Sequence, residues 1–111
     1  MKKTIALREN EKRAIARLKE ILFTKFNILE LRLFGSKVRG ESTPESDIDV
    51  MIKITEYDPA TISQIYDIVF EINLEYDTFI STTIFSNKEI EEGPMAESPI
   101  YKIICKEGIP V

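Results

Sequence analysis

Histidine and tryptophan are absent from this chain of 111 residues, and cysteine occurs once, at position 105. Without histidine the usual zinc sites and every His-based nucleophile triad are excluded, and a lone thiol forms no internal disulfide. No apolar run approaches the roughly 18 to 20 residues of a membrane span. The N-terminus, MKKTIALREN, breaks into Arg8, Glu9 and Asn10 too soon for a signal-peptide core, so the expected location is the cytoplasm. Any chemistry must rest on carboxylates, hydroxyls, cations and oxygen-preferring metals. What is present, 43% hydrophobic and 31% charged residues, fits a single domain over 1–111 with one modest core. There is no internal repeat, linker or low-complexity segment.

The net charge of -4 hides an asymmetry: residues 1–39 hold 11 of the 15 Lys and Arg and only four acids, leaving -11 for residues 40–111. Lys12, Arg13, Arg17 and Lys19 fall within one helical segment, where a solvated helix face is the simplest account. The overall acidity, with no polybasic surface interleaved with aromatics, argues against a nucleic-acid partner.

Between residues 11 and 26, Ala14, Ile15, Leu18, Ile21 and Leu22 recur at helical spacing. Leu29, Leu31 and Leu33 then alternate with polar residues in a short strand stopped by Gly35 and Ser36. A turn-rich stretch, Arg39–Ser46, leads to a second strand in which Ile48, Val50, Ile52 and Ile54 alternate with Asp49, Met51 and Lys53. Asp58 and Pro59 have the form of a helix start, after which Ile62, Ile65, Tyr66, Val69 and Ile72 trace an apolar stripe. This crossover allows the strands it joins to be parallel. Thr78–Phe85 reads as a third strand, Ser86 and Glu89 as a capping box, and Ser98-Pro99 as the start of a last helix that Gly108 ends. Cys105, on that helix, is expected to be a small buried hydrophobe. The order describes a small α/β (α+β) sandwich.

The segment that carries chemistry is LFGSKVRGESTPESDIDVMIKI, residues 33–54. On a strand, Asp47 and Asp49 project to one face while Ile48 and Val50 project to the other. Two such carboxylates repel unless solvated or bridged by a cation, and Mg²⁺ or Mn²⁺ suits oxygen donors shared with substrate phosphates. Gly35 lets the backbone pass close to a phosphate and Ser36 donates to it, with Lys37 and Arg39 nearby to balance charge. If Lys37 to Gly40 begins a helical turn, its free N–H groups point at the same anion. Lys53, on the Asp49 face, either reaches the phosphates or offsets the aspartates.

Gly-Ser, ten residues, then Asp-x-Asp resembles the signature of the DNA polymerase β-like nucleotidyltransferases, and GSKVRGESTPESDIDV is similar to the small prokaryotic group called minimal nucleotidyltransferases. The resemblance implies a nucleotidyltransferase fold, a short mixed sheet with helices packed on it, spanning this chain, with Gly35 and Ser36 at the phosphates of a nucleoside triphosphate and Asp47 and Asp49 holding the metals. It implies transfer of NMP, AMP from ATP above all, to an acceptor hydroxyl, and a third catalytic carboxylate on a later strand. Counting back from Ser86, the register of that acid falls on Thr83. Asp77 is the candidate acid of matching parity, six residues earlier, about 20 Å along an extended strand. A bare core of this length leaves the acceptor to a separate chain, and the group's partner is a small HEPN-domain toxin. The alternative is a catalytically idle binding module that neutralises a partner by complex formation. Oligomeric state is left open.

Overall fold

The computed structural model describes residues 7–40 and 46–111, and most of the stretch read as turn-rich at 39–46 lies outside them. The chain order is α1 (Glu9–Lys25), β1 (Ile28–Phe34), α2 (Ser36–Arg39), β2 (Ile48–Ile54), α3 (Pro59–Tyr76), β3 (Ile80–Ser86), α4 (Asn87–Glu92), a 3₁₀ turn (Pro94–Glu97), α5 (Pro99–Glu107) and β4 (Ile109–Pro110). The strands form one mixed sheet in the order β3-β2-β1-β4. β1 pairs antiparallel with β2 and with β4, while β2 and β3, joined through α3, run parallel.

Alternation on the strands divides the molecule into two apolar layers. On one face Leu31, Leu33, Ile48, Val50, Ile52 and Ile80 meet α1 and α3. Ala14, Ile15, Leu18 and Leu22 of α1 and Ile65, Val69 and Ile72 of α3 complete that core. Burial of each of the larger side chains contributes about 1.5–3 kcal/mol. On the other face a smaller cluster of Phe34, Met51, Phe85 and Ile104 holds α5, with Ile90, Met95 and Tyr101 packed around it. Phe85 and Tyr101 meet edge to face at 5.3 Å.

Helix starts follow local chemistry. The Asp58 carboxylate accepts the Ala60 N–H at 3.2 Å and the Thr61 hydroxyl at 2.7 Å, with Pro59 in the first turn. Ser86 accepts the Glu89 N–H at 3.1 Å, the N-cap half of the expected capping box, while the Glu89 carboxylate accepts the Ser86 hydroxyl at 2.8 Å in place of the main-chain N–H. β3 begins at Ile80 rather than Thr78 because Asn73 grips that point. The Asn73 side chain accepts the Ile80 N–H (2.8 Å) and the Thr78 hydroxyl (2.9 Å) and donates to the Ile80 carbonyl (3.2 Å).

Three expectations are corrected. A register shift between Ile28 and Glu30 leaves Ile28 buried and Leu29 47% exposed, so Leu29 does not share the core face of Leu31. Tyr66 lies on the outer side of α3, away from Ile65 and Val69. Cys105 is exposed, one position beyond the buried Ile104. Among the described residues, no helix is long and apolar enough to cross a membrane.

Candidate active site

β1 ends at Phe34, and the chain turns at once through Gly35 into α2. Gly35 has φ +80° and ψ -157°, a backbone conformation that side chains with a Cβ rarely adopt. A Cβ built there would also overlap Oδ2 of Asp49. The glycine therefore permits both the turn and the seating of a carboxylate against the main chain. Its carbonyl accepts the N–H groups of Val38 and Arg39, both at 3.1 Å, which closes the turn with Ser36 at its head.

Asp49 faces Phe34 in the β1–β2 register and is half-buried, whereas Asp47, one residue before β2, is exposed. Loss of water at Asp49, and then the Asp47 charge, push the Asp49 carboxyl above the ordinary carboxylate range, while Arg39 pulls it down. Asp49 thus feels the Asp47 charge two positions away. Ser81 of β3 stands beside Asp49 in the parallel register, and Thr83 beside Met51.

Lys37 departs from the expectation of a phosphate contact through its side chain. Its ammonium is 2% exposed and pairs at 3.2 Å with the Glu11 carboxylate, itself buried in the first turn of α1. Glu11 also accepts the Arg8 N–H at 2.8 Å. Lys37 ties the site turn to α1 instead of reaching into the site. Arg39 is exposed, and its guanidinium meets Glu107 at 2.9 Å.

Glu107 is the site residue that sequence reasoning missed. Its Oε1 accepts the Gly35 N–H at 3.3 Å as well as the Arg39 guanidinium. Leu33 pairs with Ile109 across β1 and β4, which brings the residue before Gly108 to the residue after Phe34. The only sequence signal was an acid beside a helix-stopping glycine. Finding its partner required the pairing of a two-residue strand.

Asp77 is exposed and forms the C-cap of α3 in the left-handed conformation, φ 56° and ψ 53°, three residues ahead of β3. Its carbonyl and that of Tyr76 accept from the Asn10 side chain at 3.2 and 2.9 Å. β3 itself, ISTTIFS, carries no acid. Lys53 is turned away from the aspartates, toward Glu30 at 3.4 Å and over the Tyr101 ring at 5.6 Å. A hollow of about 610 Å³ lined by Phe23, Phe26, Ile54, Thr55, Asp58 and Thr61 opens at the opposite end of β2 from the aspartates.

Among the described residues, no group of three or more Cys, Asp or Glu is placed to hold a metal ion. Asp47 and Asp49 form a two-carboxylate donor set, which suits a hard cation whose remaining ligands are phosphate and water oxygens. The seat of Asp49 on Gly35 fits the same use, since only a missing Cβ leaves that carboxylate there.

The protein named "Putative protein adenylyltransferase" of Methanocaldococcus jannaschii is 36% identical over 58 residues, spanning 52% of this chain and 58% of its own length. The match therefore covers little more than half of either protein. The sequence profile described as "Nucleotidyltransferase domain" matches residues 15–103, which take in most of α1, all of α3, the Gly35 turn, both aspartates and the first half of α5. A mixed sheet covered by helices, a glycine turn leaving its first hairpin strand and two aspartates at the start of the next are thus parts of one recognisable unit, and the chain belongs to the nucleotidyltransferase domain family.

Proposed function

We propose that this chain transfers AMP from ATP to a hydroxyl on a partner protein, using Mg²⁺ or Mn²⁺. The observation that carries the reading is the seat at the end of β1, where a half-buried Asp49 packs on Gly35 with the Asp47 charge beside it. Like charges drawn together partly out of water are unfavourable alone and become favourable around a cation. Asp47 and Asp49 would hold that cation, which when bound neutralises developing charge on the triphosphate. Gly35 and Ser36 lie against the phosphates, and Arg39 offsets their charge. The acceptor oxygen forms a bond to the α-phosphorus as the bond to pyrophosphate breaks, and the hydroxyl proton is released to solvent.

Support for AMP and for a protein acceptor comes from the name of the Methanocaldococcus jannaschii relative. Likeness to the minimal nucleotidyltransferases supports a HEPN-domain acceptor, and an ATP substrate supports action in the cytoplasm. Asp77 has no part in the chemistry in this reading, because its left-handed cap position already accounts for it.

A second reading rests on β3, which offers Ser81, Thr82 and Thr83 where a third acid would stand. It makes the chain a nucleotide-binding or purely structural module that neutralises its partner by complex formation. Titration calorimetry with a non-hydrolysable ATP analogue, with and without Mg²⁺, tests whether the chain binds a nucleotide. Metal-dependent binding that disappears in Asp47→Ala and Asp49→Ala is expected. No binding up to millimolar analogue with either metal overturns the first reading. Transfer of label to the partner from α-labelled but not γ-labelled ATP then separates the enzyme from the module.

A further inference from the structure

Helix α3 buries Ile65, Val69 and Ile72 and leaves a second apolar row on its outer side. Tyr66, Phe70 and Leu74, spaced by four, are 50%, 63% and 70% exposed. Residues at this spacing stand above one another on a helix, so they form one ridge about 12 Å long. One position further on, Asp67, Glu71 and Glu75 make a parallel row, all exposed. Among the described residues, none of these three carboxylates has a hydrogen bond or ion pair. No Lys or Arg occurs anywhere from residue 54 to residue 87.

We infer that this face of α3 is a docking surface for a cationic amphipathic helix of another protein, with an apolar stripe flanked by Lys or Arg. Ridges of residues four apart are the elements that interlock when helices pack, which suits a helical partner. Complementary charge selects the sign of its flanks. A second copy docked ridge on ridge fits poorly, because α3 itself brings three acids and no cation to pair with them. An anionic lipid surface is disfavoured by the same row.

The ridge lies on the sheet face opposite Asp49, so docking leaves the site open. Its Leu74 end, however, runs toward the edge that carries Asp47. There the Ile48 N–H bonds to the Phe79 carbonyl at 2.8 Å, beside the start of β3. A helix lying along α3 therefore ends at the same end of the sheet as Asp47, with α3 between them, and the rest of its protein is held near that end. The surface stands without the nucleotide chemistry, although it supplies the partner contact that chemistry needs.

The test uses the full chain and a fluorescent amphipathic peptide of roughly 18 residues, made with Lys flanks and, as a counterpart, with Glu flanks. Anisotropy should show the Lys peptide binding at least about tenfold more tightly than the Glu peptide, with about a tenfold loss in Phe70→Ser or Leu74→Ser. Asp67→Lys with Glu71→Lys should reverse the preference. Equal affinity for both peptides, or affinity unaffected by both serine variants, overturns the proposal. So does a concentration-dependent dimer in sedimentation equilibrium that Phe70→Ser dissolves, since it assigns the ridge to a second copy. The substituted residues are exposed, and circular dichroism of each variant checks that it folds. Titration with the ATP analogue in Phe70→Ser should match the unmodified protein, which keeps failure of this surface distinct from failure of the nucleotide site.

Discussion

Asp49 is held where burial and a neighbouring charge both disfavour its ionised form. Its folded-state carboxyl binds a proton more readily than it does in the unfolded chain, first through lost water and then through Asp47. Between the unfolded and the raised folded value the native state holds more protons, so stability falls as pH rises through that window, and the cost persists above it. Asp49→Asn removes this cost with the shape nearly kept. Its melting temperature at pH 7 should exceed that of the unmodified protein by a few degrees, a difference that closes as pH falls through the Asp49 titration. Millimolar Mg²⁺ with the ATP analogue should raise the melting temperature of the unmodified protein and leave Asp49→Asn in place. Scanning fluorimetry from pH 4 to 8 reads both effects, and an Asn variant less stable at neutral pH would contradict the assignment.

Single elements hold this site by links that differ in what their loss costs. The Lys37–Glu11 pair joins α2 to the start of α1 while almost wholly out of water. Removing one partner strands the other charge, so Glu11→Leu or Lys37→Met alone should lose about 3–5 kcal/mol in urea unfolding. The double variant should recover most of it, a coupling that a double-mutant cycle measures. At the end of α3, a residue without a Cβ relieves the left-handed Asp77, so Asp77→Gly should gain about 0.5–1 kcal/mol. Analogue binding should be unchanged; a loss of metal-dependent binding in Asp77→Gly would return that acid to the site.

The same links show what could be read from sequence. Glycine, serine and both aspartates lie within 15 residues, on a strand, a turn and the next strand, so local periodicity placed them. The direction of Lys37 was hidden because a cation after Gly-Ser suits phosphate equally well, and its actual partner lies 26 residues away. Tyr66 was drawn into the wrong stripe because α3 is apolar on both sides, with Phe70 and Leu74 outside and Val69 and Ile72 within. Asn73 displaced the start of β3 through bonds that no periodicity records.

For the molecule as a whole, the division into unequal layers sets where it opens first. α1 and α3 share the large core, whereas α5 is held by one fully buried residue, Ile104, in a cluster of four. Amide hydrogen exchange in α5 and β4 should be faster than in α1 and α3 by orders of magnitude, reflecting opening well below the global unfolding energy. Ile104→Ala should lose about 2–4 kcal/mol and shift α5 exchange more than that of α3. Uniform protection across all helices would refute this ordering. The sheet's parallel crossover, β2–α3–β3, was legible from the chain, but β4 was not, because two residues carry no period.

That loosely held helix ends in Glu107, whose carboxylate already sits on the Gly35 N–H and the Arg39 guanidinium. An anion arriving at those two donors finds another anion in residence. What a titration records there is an exchange free energy, the difference between two negative groups competing for the same amide and cation, so the protein's own tail helix sets the zero from which affinity is counted.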